Sequence, residues 1–290
     1  MEYIFHILIF IGLYIILSIS LNLLIGYTGI LSIAHAAFYG IGAYTAALLS
    51  LNYQASFFIV LFVSILVSAI IGLIVGLPSI RIKDDYFAIA SFGFQVIIFH
   101  ILNNWVSFTG GPMGLPGIPN LSIFGVVINS NFKFLMLTYF FVISIFLITN
   151  RISKSPVGRI LKALREDEIL VQSQGKNVAS FKIKIFIISS CIASISGILF
   201  AHYITFIDPS SFTVMESIYI ISIVIIGGTG NLKGSILGAI ILVLMSELLR
   251  FVGLPSSVAA NSKQIIYGLL LISFILWRPQ GLKGEYNISK

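Results

Sequence analysis

Nine apolar stretches divide this chain of 290 residues, and they constrain its fold more than any other feature. Each is close to the roughly 20 residues that a helix needs to cross the hydrocarbon core of a bilayer. The chain is 58% hydrophobic and 9% charged, with a mean hydropathy of +1.07, a composition that excludes a water-soluble domain. The stretches lie at about 4–24, 30–50, 56–77, 86–102, 132–150, 183–204, 216–230, 234–252 and 264–277.

The sequence therefore predicts an all-α polytopic membrane protein with eight or nine transmembrane helices. No connection is long enough for a separate soluble domain, so residues 1–290 form one transmembrane domain. The stretches after Gly26 and before Lys233 are interrupted by glycine, and they could be broken or re-entrant helices. The apolar N-terminus lacks a basic region and a clear cleavage site, so we expect a retained first span.

The only strongly charged segment runs from Arg151 to Lys184 and contains 8 of the 17 Lys and Arg residues. Basic loops between spans remain in the cytoplasm, so this segment is predicted to be cytoplasmic. Nine spans with an external N-terminus put the other basic connections on the same side, at Arg81, Lys83, Lys233, Arg278 and Lys283. Topology thus explains the net charge of +7, and we expect no nucleic-acid partner.

Two glycine-rich segments, Ile25–Leu31 and Ile226–Leu232, are identical at five of seven positions. Such pairs can mark the duplicated halves of transporters, in which unwound backbone faces the solute, and they can also arise by chance. We take six of their residues as candidates for a translocation path: Gly26, Thr28, Gly29, Gly227, Gly228 and Gly230. The alternative is close helix packing, which a stripe of small residues favours at Ala36, Gly40, Ala43 and Ala47.

Polar side chains are few within the apolar stretches, where an unpaired charge is costly. Among them His35 lies furthest from a predicted span end and joins the candidate path residues, whereas His100, His202 and Glu247 lie near ends. Each histidine could equally be a hydrogen-bonded structural residue. No histidine or cysteine spacing predicts a metal site, and no catalytic triad can be singled out.

The connection from Asn103 to Asn120 is rich in glycine and proline and has no charge. These residues favour tight turns, so we expect a compact, ordered loop on the external side. The loop either contacts a partner outside the cell or only reverses the chain.

Several blocks of sequence together resemble the permease subunits of bacterial branched-chain amino acid ABC importers, of the LivM type. The blocks occur in the family's order over residues 21–284: LNLLIGYTGILSIAHAAFYGIGAYTAALL, DDYFAIASFGF, TGGPMGL, SPVGRILKALREDEILVQSQGKNV, FIDPSSF, IIGGTGNLKGSILGAI and RPQGLKG. The resemblance implies a subunit that works with a second, LivH-type permease, two cytoplasmic ATPases and an extracytoplasmic binding protein in the bacterial inner membrane. It also implies import of leucine, isoleucine, valine or related solutes, although urea importers contain a similar subunit.

Within the charged segment, Glu168 and Gly175 resemble the coupling motif that binds a groove of the ATPase in this family. We take Arg159 and Arg165 together with them as candidate residues of the ATPase-coupling loop. The copy departs from the usual Glu-Ala-Ala opening, because Leu170 and Val171 occur there. The spacing of Ile160, Leu161, Leu164, Ile169 and Leu170 predicts a short amphipathic helix with Arg159, Lys162 and Arg165 largely on other faces, ending at Gly175. Such a helix could also lie on lipid headgroups. Replacing Glu168 by lysine is expected to uncouple transport without disturbing assembly.

The chain contains no phosphate-binding GxxxxGK[ST] motif, so it is expected to bind no cofactor, and ATP would be used by partner subunits. A secondary transporter is the main rival, and its coupling residues would be Glu247 and Glu216. An intramembrane enzyme built on His35, or on His202 with Asp208, is a third hypothesis.

Overall fold

The computed structural model describes residues 2–80, 84–123, 126–250, 268–269, 272–273 and 280–283. Long α-helices dominate this part of the chain, as the apolar stretches predict. They are α1 (Glu2–Thr28), α2 (His35–Tyr53), α3 (Phe57–Gly76), α4 (Asp84–Asn104), α5 (Val106–Thr109), α6 (Asn131–Lys154), α7 (Pro156–Glu166), α8 (Glu168–Ser173), α9 (Val178–Ile204), α10 (Val214–Gly227) and α11 (Leu232–Arg250).

The centre of the bundle consists of α1, α2 and α9, which are apolar on all sides and largely buried. By contrast, α3, α4 and α6 bury one face and expose large apolar side chains on the other, such as Phe62, Ile89 and Phe140. Exposed apolar faces of this extent suit contact with lipid or with another subunit.

Helices α2 and α9 approach each other closely, because glycines on both helices remove the side chains between them. A Cβ atom added to Gly42 would collide with the backbone of Ser194, and one added to Gly197 would collide with the backbone of Tyr39. Gly40 in the predicted small-residue stripe instead makes room for Phe212, whose Cβ would be 3.1 Å from a Cβ at that glycine. Close packing is therefore what the small residues of α2 provide.

Five described helices are long and apolar enough to span a membrane: α1, α3, α4 from Tyr86, α6 and α9. Helices α10 and α11 pass the same test only as a pair and are bent by 120° at the break between them. Of the predicted ninth stretch, 264–277, only four positions are described. Arg81, Lys83 and Arg278 lie outside the described residues.

The boundaries near the first glycine-rich segment differ from the prediction. Helix α1 continues through Gly26 to Thr28, and the non-helical segment that follows delays α2 until His35. The stretch predicted at 30–50 therefore begins five residues later. The second glycine-rich segment does break the chain, since α10 ends at Gly227 and α11 begins at Leu232.

One end of the bundle, here named the loop end, is closed by the glycine- and proline-rich connection. Strand β1 (Leu115–Pro116) pairs antiparallel with β4 (Phe206–Ile207), and β2 (Ser122–Ile123) pairs with β3 (Val126–Val127). Ile118 N–H also donates to Thr205 O at 3.1 Å. The expected compact loop is thus present, attached to the end of α9.

Candidate functional site

The opposite end of the bundle, here named the charged end, contains α7 and α8. Ser155 caps α7 by accepting from Gly158 N–H at 3.4 Å, and Pro156 follows at the first helical position. Asp167 then stops α7 and caps α8, accepting from the N–H groups of Ile169 and Leu170 at 2.8 and 3.1 Å. The segment predicted as one amphipathic helix is therefore two short helices, because an aspartate cap lies between them.

The apolar side chains of this segment divide into two groups. Leu161 and Leu164 of α7 are buried against the bundle, as the spacing predicts. Ile169 and Leu170 of α8 are instead 78% and 51% exposed. An exposed apolar pair on a charged segment is a typical docking feature for another protein. We name this pair the α8 docking pair.

Glu168 faces its own chain as well as solvent. Its Oε2 atom lies 2.8 Å from Nζ of Lys182 in α9, and the Lys182 side chain is only 4% exposed. Glu168 is therefore paired within its own chain, and its predicted role in ATPase coupling stays a prediction. A buried lysine needs a counter-charge, so the ion pair helps to attach α8 to α9. Replacing Glu168 by lysine would disturb this attachment in addition to any contact with a partner.

The end of α8 agrees with the prediction. Gly175 has φ of +73° just after the helix, and its N–H donates to Gln172 O at 2.9 Å. This is the left-handed position that glycine fills after a helix. Arg159 of α7 is exposed, and a role for it in ATPase contact stays a prediction.

The basic residues Lys162 and Arg165 point at the bundle and not away from it. Nη1 of Arg165 donates to Gly26 O at 2.5 Å, at the C-terminal turn of α1. Nζ of Lys162 lies 5.6 Å from the ring centroid of Tyr27. Cations favour the C-terminal end of a helix, where carbonyl groups lack helical partners. The predicted separation of charged and apolar faces on α7 is therefore wrong for these two residues.

The structure brings the two glycine-rich segments together at the charged end. A Cβ atom added to Gly26 would lie 2.9 Å from Gly230 Cα, so the contact requires glycine. Asn22 joins the segments: its Oδ1 accepts from Gly230 N–H at 2.9 Å, and its Nδ2 donates to Asn231 O at 2.9 Å and to Ser235 Oγ at 2.6 Å. We name this arrangement of Asn22, Gly26 and Gly230 the glycine junction.

Asn22 was missed by the sequence analysis. An amide near the end of an apolar stretch was the available signal, since a buried amide must find hydrogen-bond partners. Its partners lie more than 200 residues away in sequence, so their identity could not be predicted.

The other candidate path residues surround the glycine junction. Thr28 is buried and donates to Leu24 O at 2.6 Å, and Gly29, with φ of +77°, is exposed beside Arg165. Gly227 and Gly228 are buried, and the chain segment 280–283 packs on them: Leu282 N–H donates to Ile226 O at 2.9 Å and Lys283 N–H donates to Gly227 O at 3.1 Å. Lys233 and Lys283 therefore share the charged end with α7, as predicted.

His35 lies apart from the glycine junction. It begins α2 and is 1% exposed, with Nε2 at 2.9 Å from Ser20 Oγ and 3.3 Å from Ser189 Oγ. Close by, Gln95 of α4 accepts from Ala37 N–H at 2.6 Å and donates to Phe212 O at 2.7 Å. Gln95 thus joins the start of α2 to α4 and to the turn before α10 through hydrogen bonds. The sequence analysis did not identify this residue either.

The residues that a secondary transporter or an intramembrane enzyme would use form hydrogen bonds elsewhere in the structure. Tyr14 OH donates to Glu216 Oε1 at 2.8 Å, and Tyr3 OH donates to Glu247 Oε2 at 2.6 Å at the loop end. His202 bonds to Pro119 O, whereas Asp208 accepts from Ser210 and Ser211. Within the described residues no three His, Cys, Asp or Glu side chains gather where they could hold a metal ion.

A family described as the permease component of branched-chain amino acid transport systems matches residues 3–275. The chain belongs to this family. As a member it is a transporter subunit and not an enzyme, and its apolar helices make it a multi-pass inner-membrane protein. The exposed α8 docking pair and the glycine junction are thus features of a permease.

Relatives within the family include both permease types. The chain is 36% identical to the high-affinity branched-chain amino acid transport system permease protein LivM of Escherichia coli, over 93% of this chain and 67% of the relative. It is 28% identical to the probable LivM permease of Methanocaldococcus jannaschii, over 97% and 93% of the two chains. It is 24% identical to LivH of Escherichia coli, over 96% and 93%. No solved structure matches the chain.

Proposed function

We propose that this permease forms, with a second permease of the LivH type, the translocation path of an ATP-driven importer for branched-chain or related amino acids. Two cytoplasmic ATPases and an extracytoplasmic binding protein complete the importer. The observation that carries the proposal is the α8 docking pair: Ile169 and Leu170 are exposed on a charged segment whose other contacts attach it to the bundle. The chain's similarity to both LivM and LivH supports a partner built like itself.

The contacts of α7 and α8 offer a route for coupling. Movement of an ATPase against Ile169 and Leu170 would displace α8. Asp167 caps this helix, and the ion pair of Glu168 with Lys182 joins it to α9. Arg165 would pass the displacement to the C-terminal turn of α1, where Gly26 meets Gly230. The bend between α10 and α11 would then change, which switches access to the path between the two sides of the membrane.

The path itself is proposed to run beside the glycine junction. Gly26, Thr28, Gly29, Gly227, Gly228 and Gly230 would border its cytoplasmic end, and His35 would lie deeper along it. Irregular backbone is tolerated at membrane depth only where it faces protein or water, and the buried break at 228–231 meets this condition. Separation of α1 from the α10–α11 bend would open this end of the path.

For the topology we propose nine spans, or eight, with the N-terminus outside and the charged end in the cytoplasm. The five long helices, the bent pair and the 19-residue α2 support most of this count. The basic residues of α7 and α9, with Lys233 and Lys283 at the same end, support the sidedness through the positive-inside rule.

The test uses single-cysteine variants in a background in which Cys191 is replaced by serine. Ile169→Cys should react with a membrane-impermeant maleimide only after cells are opened, and it should cross-link to a co-expressed ATPase. Met113→Cys at the loop end is the matched control, because Met113 is equally exposed and should react from outside. Labelling of Ile169→Cys in intact cells, or no cross-link to the ATPase, would contradict the proposal.

The solute is tested with the complete importer in vesicles. Uptake of leucine, valine or isoleucine should require ATP and the binding protein. ATP-driven uptake of urea, without uptake of amino acids, would identify urea as the solute. Uptake by this chain alone, driven by a proton or sodium gradient, would support the secondary transporter with Glu216 as its coupling residue.

A further inference from the structure

Helix α4 has a line of residues on its surface, named here the α4 seam, that no part of the bundle covers. The residues are spaced alternately four and three apart, so they share one face of the helix. This is the spacing by which long helices, including membrane helices, pack along one another. None of the six residues is buried: Tyr86, Ala90, Gly93, Ile97, His100 and Asn104.

Gly93 is the exception among the glycines of helices α1 to α11. At every other glycine in these helices an added Cβ atom would meet another atom of the chain within 4 Å, as Gly42 meets Ser194 and Gly72 meets Ser190. At Gly93 it would meet none among the described residues. Glycine weakens the interior of a helix and is favoured where two membrane helices approach closely. Gly93 therefore indicates a neighbour that the described bundle does not supply.

Helix α3 shows how this chain forms its two kinds of helix face. The buried face includes Ser64, Ser68 and Gly72, and Gly72 makes room for Ser190 of α9. The exposed positions of the same helix are all Phe, Ile or Leu. Small and polar residues thus lie at a helix contact in this chain, and large apolar residues lie where the surface is exposed.

The α4 seam has the composition of a contact face although it is exposed. Ala90 and Gly93 are small, and His100 and Asn104 are polar. The exposed positions of α6 between 134 and 150 are instead Met, Phe, Ile or Leu, like those of α3. Lipid suits the large apolar faces of α3 and α6, whereas small and polar residues favour contact with protein.

The polar end of the α4 seam borders an open groove of about 580 Å³. Ile97, His100, Asn104 and Trp105 are among its lining residues. Side chains of one helix pack into the grooves of another, so this groove suits the side chains of a helix lying along α4. His100 and Asn104 would provide hydrogen-bonding groups to that helix.

The length of the α4 seam defines the kind of partner. The seam runs along Tyr86–Asn104, which is long and apolar enough to span the membrane. A soluble ATPase or binding protein could not follow it through the membrane, so the partner must itself be a transmembrane helix.

We propose that the α4 seam is the surface by which this chain packs against a transmembrane helix of the second permease. The inference rests on the proposed function, which supplies that partner. It assigns α3 and α6 to lipid and α4 to the contact between the two permeases.

The first test is photo-crosslinking in membranes that contain this chain, the LivH-type permease and the ATPases. Benzoylphenylalanine in place of Ile97 should form a cross-link to the second permease, identified by mass spectrometry of the joined peptides. The same replacement of Ile143 in α6 is the matched control, because both isoleucines are 57% exposed, and it should react with lipid alone. Reaction at position 97 with lipid alone, with a second copy of this chain or with its own stretch at 264–277 would overturn the inference.

The second test is Gly93→Leu. An added Cβ meets none of the described residues there, and leucine favours a helix more than glycine does, so the yield of this chain should not fall. The amount of second permease that co-purifies with it should fall at least about tenfold, because the side chain prevents close approach. Gly93→Ala should have a smaller effect, and Ile143→Phe should have none. Equal co-purification with Gly93→Leu and with the unmodified chain would also overturn the inference.

The result separates this inference from the proposed function. If the second permease co-purifies and the importer takes up solute, but position 97 does not cross-link to that permease, only the assignment of the α4 seam is refuted. If no second permease co-purifies with the unmodified chain, the proposed function fails, and the inference fails with it.

Discussion

The two glycine-rich segments are nearly the same in sequence and different in structure. In Ile25–Leu31 the helix continues through Gly26, and only the exposed Gly29 has a positive φ. In Ile226–Leu232 both Gly228 and Gly230 have positive φ, are buried, and form a break with a bend of 120°. The difference falls at one of the two positions where the sequences differ, because Gly228, with φ of 112°, takes the place of the helical Tyr27. The contacts differ as well, since Arg165 donates to the first segment and Asn22 accepts from the second.

The comparison separates two uses of glycine. Gly26 is required for close approach within an ordinary helix, whereas Gly230 is required for its backbone conformation, with φ of 82°. Identical residues in the two segments therefore indicate small side chains at both places, but they do not indicate the same backbone conformation. The predictions below test whether these two uses differ as strongly in function as in geometry.

The largest effect is expected from Gly230→Leu. A side chain there would be strained at φ of 82° and would have to fit into a buried position, so we expect a loss of about 3 kcal/mol or more and no uptake. Gly29→Leu has φ of +77° but meets mainly the flexible Arg165 side chain, so about 1–2 kcal/mol is expected, with partial uptake. The yield of folded protein, the thermal stability and the uptake are measured for both variants. Equal losses in the two variants would remove the distinction between the segments.

Asn22→Leu is expected to have the next largest effect. It leaves Gly230 N–H buried without a partner, which costs about 1–3 kcal/mol, and it loosens the α10–α11 break from α1. Thr149→Val is the control, because Thr149 is equally buried but donates only to carbonyls of its own helix. If the two variants lower thermal stability equally, Asn22 is not what distinguishes the second segment.

Arg165→Ala tests the contact that distinguishes the first segment. Loss of a charged hydrogen bond to Gly26 O should reduce uptake about tenfold while the ATPases still bind, since the α8 docking pair is unchanged. Arg151→Ala removes the same charge from an exposed position in the last turn of α6 and should leave uptake nearly normal. A similar fall in both variants would mean that charge, and not the contact with α1, matters for coupling.

Glu168→Gln should have the smallest effect. The amide oxygen that this change introduces can still accept from Nζ of the buried Lys182, and the glutamate side of the pair is 40% exposed, so loss of the charge alone is expected to cost about 1 kcal/mol. Uptake should fall less than in Arg165→Ala, and Glu168→Lys should be worse than Glu168→Gln because it brings two cations together. ATPase activity is measured together with uptake, to distinguish weaker binding of the ATPase from poorer coupling of ATP hydrolysis to transport. A complete loss in Glu168→Gln would place coupling in the partner contact alone.

The spans and the charged end follow from sequence because both depend on composition over many residues. Helix bounds such as Phe57–Gly76 lie within a residue or two of prediction, since the bilayer sets the length. The buried Leu161 and Leu164 also follow from helical spacing. The predicted single helix over 160–170 is wrong because Asp167 satisfies the next helix's N–H groups, and a local cap overrides periodicity.

The candidate site was predicted less completely. Glycine positions could be read from sequence, but their contact depends on a pairing across about 200 residues, which no local pattern encodes. The faces of Lys162 and Arg165 were wrong because the end of α1 offers carbonyl and aromatic partners that compete with solvent.

The backbone contact between α2 and α9 limits how this permease can move. Where side chains interdigitate loosely, two helices can slide by a fraction of a turn at small cost, but Gly42 and Gly197 leave no such clearance against Ser194 and Tyr39. We therefore expect α2 and α9 to move together as one rigid unit. Opening of the proposed path would then require α1 and the bent α10–α11 pair to shift relative to that unit.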